Sequence, residues 1–165
     1  MILLHTRLIE QLDYDPLTGI FTWRANRRGV CGGAIAGAPS GGDEGGSKYW
    51  LIRLDKHRYY AHNLAWFYVH GVWPVGRLDH EDLDGWNNAI LNLRPATVQQ
   101  NAANTIVRKN NRIGFKGVRK RKNRYEARIS AGRKEKILGH FDTPQEAHAA
   151  YCAALQERFG EYARG

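Results

Sequence analysis

Along this chain the spacing of apolar positions changes repeatedly, and each change marks an element. Leu3, Leu4, Leu8, Ile9 and Leu12 recur at helical spacing and predict a short helix over residues 3–12. Asp13 to Gly19 is turn chemistry, and Ile20 to Trp23 reads as a strand. The Gly-, Ala- and Ser-rich run 32–46 reads as a loop. Residues 49–54 and 58–61 predict two strands about Asp55-Lys56-His57. Leu64, Ala65, Trp66, Phe67 and Val69 then predict a buried helix over 62–70, which Gly71 can end.

Regular periodicity fails over 76–93. Asp84-Gly85 and Asn87-Asn88 are turn signals, so a short strand, a long loop and a second strand at Ile90 to Leu93 are expected. Thr97-Val98-Gln99-Gln100 fits a capping box that starts a helix at Val98, with Asn101 in its first turns. The order strand, loop, strand, helix is expected to bring Asp79 near Asn101. Residues 104–112 are polar and basic and read as a linker. Beyond them come a strand at Phe115 to Arg121, an alternating strand at Arg124 to Ser130, a turn at Gly132 and a third strand at Glu135 to Phe141. Thr143 and Glu146 form a second capping box with Pro144 in the first turn. The helix it opens is expected to bury Ala147, Ala150, Tyr151, Ala154 and Leu155 and to stop near Gly160.

Charge divides this pattern in two. Residues 1–104 hold 10 Lys/Arg and 10 Asp/Glu, whereas residues 105–165 hold 15 and 6, so the second segment carries all of the net +9. A strongly basic folded segment points to a polyanion, most often nucleic acid. Cys31 and Cys152 lie far apart outside any Cys-x-x-Cys pair, which argues against a zinc cage or a disulfide framework and fits a reducing cytoplasm. The first residues do not read as a signal peptide, and no apolar run is long enough to span a membrane.

The richest chemistry lies between Leu78 and Asn101, where carboxylates, an imidazole and several amides outnumber the apolar residues needed for a core. Asp and Asn oxygens suit Mg²⁺ or Mn²⁺, and a neighbouring His can take a proton from water near neutral pH. These are the parts needed to hydrolyse a phosphodiester. Glu81, Asp82 and Asp84 read as solvated loop acids, and Asn87 and Asn88 as turn formers.

From His62-Asn63-Leu64-Ala65-Trp66 through Asp79-His80, Gly85, Asn87-Asn88, Asn92-Leu93 and Asn101, the chain resembles the HNH endonucleases, most of all their phage and intron-encoded homing branch. The resemblance implies a ββα-metal site with His80 as general base. It also implies Asp79 and Asn101 as ligands of one divalent ion and Asn92 as the amide that orders the loop and helps hold the His. Asn101 stands where many members have a third His, which favours an oxygen-ligated metal. Gly117 to Arg121, Tyr125 to Ile129, Leu138 to Phe141, Thr143 to Ala147 and Ala150-Tyr151 resemble the plant ethylene-response-factor, or Apetala-type, DNA-binding domain. That likeness implies a three-stranded sheet laid in the major groove of DNA, with Arg119 and Arg121 at matching Arg positions. Ile137 and Arg128 depart from the Trp and Glu of plant members, so their base specificity does not carry over.

The expected fold class is therefore α+β: a ββα-metal HNH domain (1–104), a basic linker (105–113) and a three-stranded antiparallel sheet plus one helix (114–165). The expected function is metal-dependent cleavage of double-stranded DNA, as a site-preferring homing-type nickase in the host cytoplasm, encoded by a phage or mobile element. A homodimer is expected only for double-strand breaks. His80 and Asn92 are the candidate catalytic residues, Asp79 and Asn101 the metal ligands, and Arg119, Lys120, Arg121, Lys122 and Arg128 the DNA contacts. The alternatives are a DNA-binding regulator with an inactive nuclease half and a non-specific nuclease.

Overall fold

A computed structural model of the chain describes residues 3–26, 29–40, 49–107, 110–131 and 134–165. The part of the Gly-rich loop at 41–46, the turn at Gly132, and Arg108 and Lys109 of the expected linker lie outside them. The architecture is mixed α and β, with small antiparallel sheets. The chain divides into two compact units, Met1–Ala96 and Thr97–Gly165.

In the first unit, α1 (His5–Gln11) runs directly into β1 (Leu12–Tyr14), which pairs with β2 (Phe21–Trp23). The expected helix thus ends one residue early, because Leu12 turns to extended backbone and enters the sheet. Asp15 organises the turn between β1 and β2 by accepting from Leu17 N (2.9 Å) and Thr18 Oγ1 (2.8 Å). Gly19 is required there: its φ is +73°, and a Cβ would stand 2.2 Å from the Asn88 carbonyl carbon. The short β3 (Ala38–Pro39) pairs with β4 (Trp50–Leu54), and β4 with β5 (His57–Tyr60). The β4–β5 turn is only Asp55-Lys56, both at positive φ, so His57 belongs to the strand and not to the turn.

Helix α2 (Ala61–His70) ends at Gly71, which takes the left-handed conformation expected of it. Ala61, Leu64, Ala65 and Phe67 join Leu8, Leu12, Ile52 and Leu54 in one apolar core. Val69 is 45% exposed, so the helix is buried on one face only. β6 (Arg77–His80) pairs with β7 (Leu93–Ala96). The strand expected at Ile90 to Leu93 is instead a 3-10 turn over Ile90–Asn92 followed by β7, and Leu91 is exposed while Leu93 enters the core.

The second unit opens with α3 (Val98–Ala103), whose Thr97/Gln100 capping box forms as the sequence indicates. β8 (Val118–Arg121), β9 (Arg124–Ala131) and β10 (Lys134–Phe141) form an antiparallel sheet in the order β10-β9-β8. α4 (Pro144–Phe159) has the Thr143/Glu146 capping box and packs Ala147, Tyr151 and Leu155 on the sheet. β8 starts at Val118, not at Phe115. The boundary between units precedes α3 because Ala103 is buried with Ile129, Tyr151 and Leu155. Lys116 Nζ also donates to the carbonyls of Ala103 (2.6 Å), Thr105 (2.9 Å) and Arg164 (2.7 Å). Thr105 accepts from Lys116, and the Asn111 turn closes on Phe115 O, so both pack within this unit.

Candidate active site and nucleic-acid face

Asp79 and His80 end β6 side by side, and both are buried, at 2% and 6% exposed. Pairing with β7 sets Arg94 directly opposite Asp79, and Arg94 Nε donates to Asp79 Oδ2 at 3.0 Å. A carboxylate so far from water needs such a partner to remain charged.

The loop after His80 is folded on itself by short polar side chains. Asn92 accepts from Asp82 N (3.1 Å) and donates to Asp82 Oδ1 (3.0 Å) and Asn87 O (2.8 Å). Asn87 Nδ2 donates to Asp82 Oδ2 (2.7 Å). Burial pushes the Asp82 carboxyl up, but the hydrogen bonds from Asn87, Asp84 N and Asn92, with His80 nearby, outweigh it and hold it below the ordinary range. Leu83 sits at φ +69° inside this loop, a strained position that the surrounding bonds maintain.

His80 Nε2 lies 3.4 Å from Asn88 Oδ1. The Tyr49 ring stands 5.9 Å from the His80 ring, and the His62 ring 5.1 Å away and perpendicular to it. His62, in the first turn of α2, stacks on Tyr60 and meets Tyr49 edge-on. Burial lowers the His80 imidazole; the Asn88 hydrogen bond and the carboxylates of Asp82, Asp79 and Asp84 oppose this without reversing it. Burial, then the neighbouring His80, pushes His62 down to about 4. His62 Nδ1 is buried with no hydrogen-bond partner among the described residues.

Asp79, His80 and Asn92 thus lie in one polar cluster on β6 and its following loop. Asn101 is half-buried on α3 of the second unit. Asn88, read from sequence as a turn former, is 2% exposed and is the amide that reaches the His80 ring; Asn92 ties the loop. Sequence reasoning also missed Arg94 as the partner of Asp79. His62 carried a signal in its place just before the apolar run of α2. Among the described residues no three His, Cys, Asp or Glu side chains converge on one point, so no closed protein cage is built. Asp79 offers a hard carboxylate oxygen of the kind that suits Mg²⁺ or Mn²⁺ in an open site completed by phosphate and water.

In the second unit, Val118 and Ala127 pack on Ala147 of α4, so the alternate positions face away from the helix. That outer face carries Arg119 and Arg121 on β8 and Arg124, Glu126 and Arg128 on β9, with Ile137 opposite Arg128 on β10. Arg121 lies 3.5 Å from Glu126, Arg124 is 3.0 Å from Asp142, and Arg128 is 2.7 Å from Glu135. Arg119 is exposed, and its side chain makes no hydrogen bond or ion pair among the described residues. Lys120 lies on the α4 side of β8 yet is exposed, and Lys122 sits in the β8–β9 turn at φ +50°.

Residues 59–103, from β5 to α3, match the family model of the HNH endonucleases. The chain therefore carries an HNH endonuclease domain over those residues, the signature of a nucleic-acid-cleaving hydrolase. No curated protein and no solved structure matches the chain. Among the described residues no helix is long and apolar enough to cross a membrane.

The His62 environment makes a pH prediction. Unfolded, this imidazole titrates near 6.5, and in the fold near 4, so between those values the unfolded state binds more protons. Its contribution to stability is complete above pH 6.5 and is lost as pH falls towards 4. Urea unfolding across this range should show stability falling with acidity in the wild type and falling less in His62→Phe. Equal slopes in the two proteins would contradict the assignment.

Proposed function

We propose that this protein is a metal-dependent DNA endonuclease of the site-preferring homing type, which nicks one strand per active site. The observation that carries the reading is the buried Asp79–His80 pair, fixed on β6 within the segment that matches the HNH family. His80 accepts a proton from a water molecule, and the resulting hydroxide attacks phosphorus as the 3′ oxygen leaves. A neutral imidazole is what this step needs, and burial keeps His80 neutral at physiological pH. Asp79 and Asn101 would hold one Mg²⁺ or Mn²⁺, whose chemistry is to neutralise charge on the phosphate and the leaving oxygen. Arg94 orients the Asp79 carboxylate through Oδ2. Asn92 acts by holding the loop that follows the base.

In this reading residues 1–104 serve as the nuclease half and 114–165 as an Apetala-type anchor on double-stranded DNA, joined by the basic stretch 105–113. The supporting feature is the outer sheet face, where Arg119, Arg121 and Arg128 stand on adjacent strands with Lys120 and Lys122 beside them. A three-stranded sheet of this size suits the major groove. The monomer nicks, a dimer is needed for a double-strand break, and the work is done in the cytoplasm of a host cell for a phage or mobile element. The Asp79–Arg94 ion pair favours one other reading, a DNA-binding regulator in which Arg94 stands in for the metal and the nuclease half is inactive.

Plasmid nicking separates the two. The wild type should cleave with Mg²⁺ or Mn²⁺ and fall silent with chelator, and His80→Ala should lose ~10²–10⁴ in rate while binding DNA as before. Binding without metal-dependent nicking by the wild type would favour the regulator.

Arg119 meets DNA without first breaking an ion pair, so it should carry the most discrimination. Arg119→Ala should cost ~1–3 kcal/mol between a selected duplex and its scramble, and Lys120→Ala should weaken both alike and flatten the salt slope by about 0.9. Arg121 is best tested as Arg121→Lys, because Glu126 is buried and needs a cation. An unchanged ratio of selected to scrambled binding in Arg119→Ala would show that the sheet does not read bases.

A further inference from the structure

We propose that Asn88 is a positioning residue that fixes the tautomer of His80, placing the ring proton on Nε2 and the lone pair on Nδ1. The Trp86 carbonyl can only accept, and it lies 2.9 Å from Asn88 Nδ2, so the amide nitrogen is committed there. Oδ1 therefore faces the imidazole, 3.4 Å from Nε2. A carbonyl oxygen cannot donate, so Nε2 must carry the hydrogen. In a neutral ring the other nitrogen, Nδ1, is then the basic one.

The amide is itself held. Asn88 O accepts from Tyr14 OH at 2.8 Å, and Asn88 N donates to Trp86 O at 3.1 Å. Gly19 presses on the Asn88 backbone so closely that no side chain fits between them. On the imidazole side, Tyr49 and His62 wall the ring and oppose the rotation that would exchange its nitrogens. Asn88 thus plays towards His80 the part that an orienting carboxylate or carbonyl plays towards other catalytic histidines. The catalytic consequence rests on the endonuclease reading, in which the proton from water is delivered to Nδ1. The tautomer itself does not.

The test is long-range ¹H–¹⁵N spectroscopy of the His80 ring in the full-length protein, recorded above the His80 titration, beside nicking rates. Two variants separate orientation from mere support. Asn88→Leu removes the acceptor, whereas Asn88→Asp keeps an oxygen towards the ring; both lose the donor to Trp86 O. The wild type should show a protonated Nε2 and an unprotonated Nδ1, and so should Asn88→Asp once the pH is above its own His80 titration, which the new carboxylate raises. Asn88→Leu should show both nitrogens shifted towards an averaged, exchanging pair. Its kcat should fall ~10–100-fold with KM within about twofold, and Asn88→Asp should restore part of the loss. A wild-type ring protonated on Nδ1 overturns the proposal, as do equal ring shifts in the two variants or wild-type kcat in Asn88→Leu. If the ring shifts behave as stated but His80→Ala nicks like the wild type, the tautomer stands and the assignment of His80 as base falls.

Discussion

The side chain of Asn92 closes the loop between β6 and β7 by gripping Asp82 at both backbone N–H and carboxylate, and the site depends on that closure. Asp79 and His80 end one strand and Arg94 lies in the next, so the relation among them is set by how the intervening residues fold. Those residues have little apolar content of their own. They are held instead by hydrogen bonds in which Asp82, Asp84, Asn87 and Asn92 replace the backbone partners that a regular strand would supply. Because several of these bonds end on the Asp82 carboxylate, they are charge-assisted and reinforce one another.

Onto this rigid loop the fold adds an unusual electrostatic arrangement. A buried carboxylate and a buried imidazole are adjacent in sequence, yet each is served separately: Asp79 by the Arg94 guanidinium and His80 by the neutral amide of Asn88. A neutral partner leaves the imidazole a base, whereas a carboxylate in the same place would draw a proton onto it. His62 packs edge-on against the His80 ring, and its lowered basicity keeps a second positive charge away from His80. The second unit presents the contrasting surface, a sheet face of arginines most of which are already braced by carboxylates.

Much of this was legible locally. Both capping boxes, the left-handed Gly71 and the alternating β9 strand depend on residues within a few positions of one another, and the structure has them as read. The adjacency of Asp79 and His80 was visible for the same reason. What local reading could not supply was contact at a distance. Asn88 looks like a turn former because Asn-Asn favours turns, and its burial follows from Tyr14 and Gly19, some 70 residues earlier. The run Ile90-Leu91-Asn92-Leu93 looks like a strand, but Asn92 is needed by the loop and pulls Ile90–Asn92 into a 3-10 turn. The unit boundary at Ala96 was likewise hidden, since Ala103 carries no sign in sequence that its partners are Ile129, Tyr151 and Leu155.

The central claim is that Asp79 and His80, side by side at the end of β6, serve a single scissile phosphate. Anomalous diffraction at the manganese edge, from crystals of the His80→Ala protein with duplex DNA and Mn²⁺, tests it directly. The account predicts one anomalous peak within ligand distance of Asp79 and of a phosphate oxygen, with the vacated His80 position facing the same phosphorus. A peak elsewhere, or a phosphate seated on the second unit with Asp79 still closed on Arg94, would contradict it.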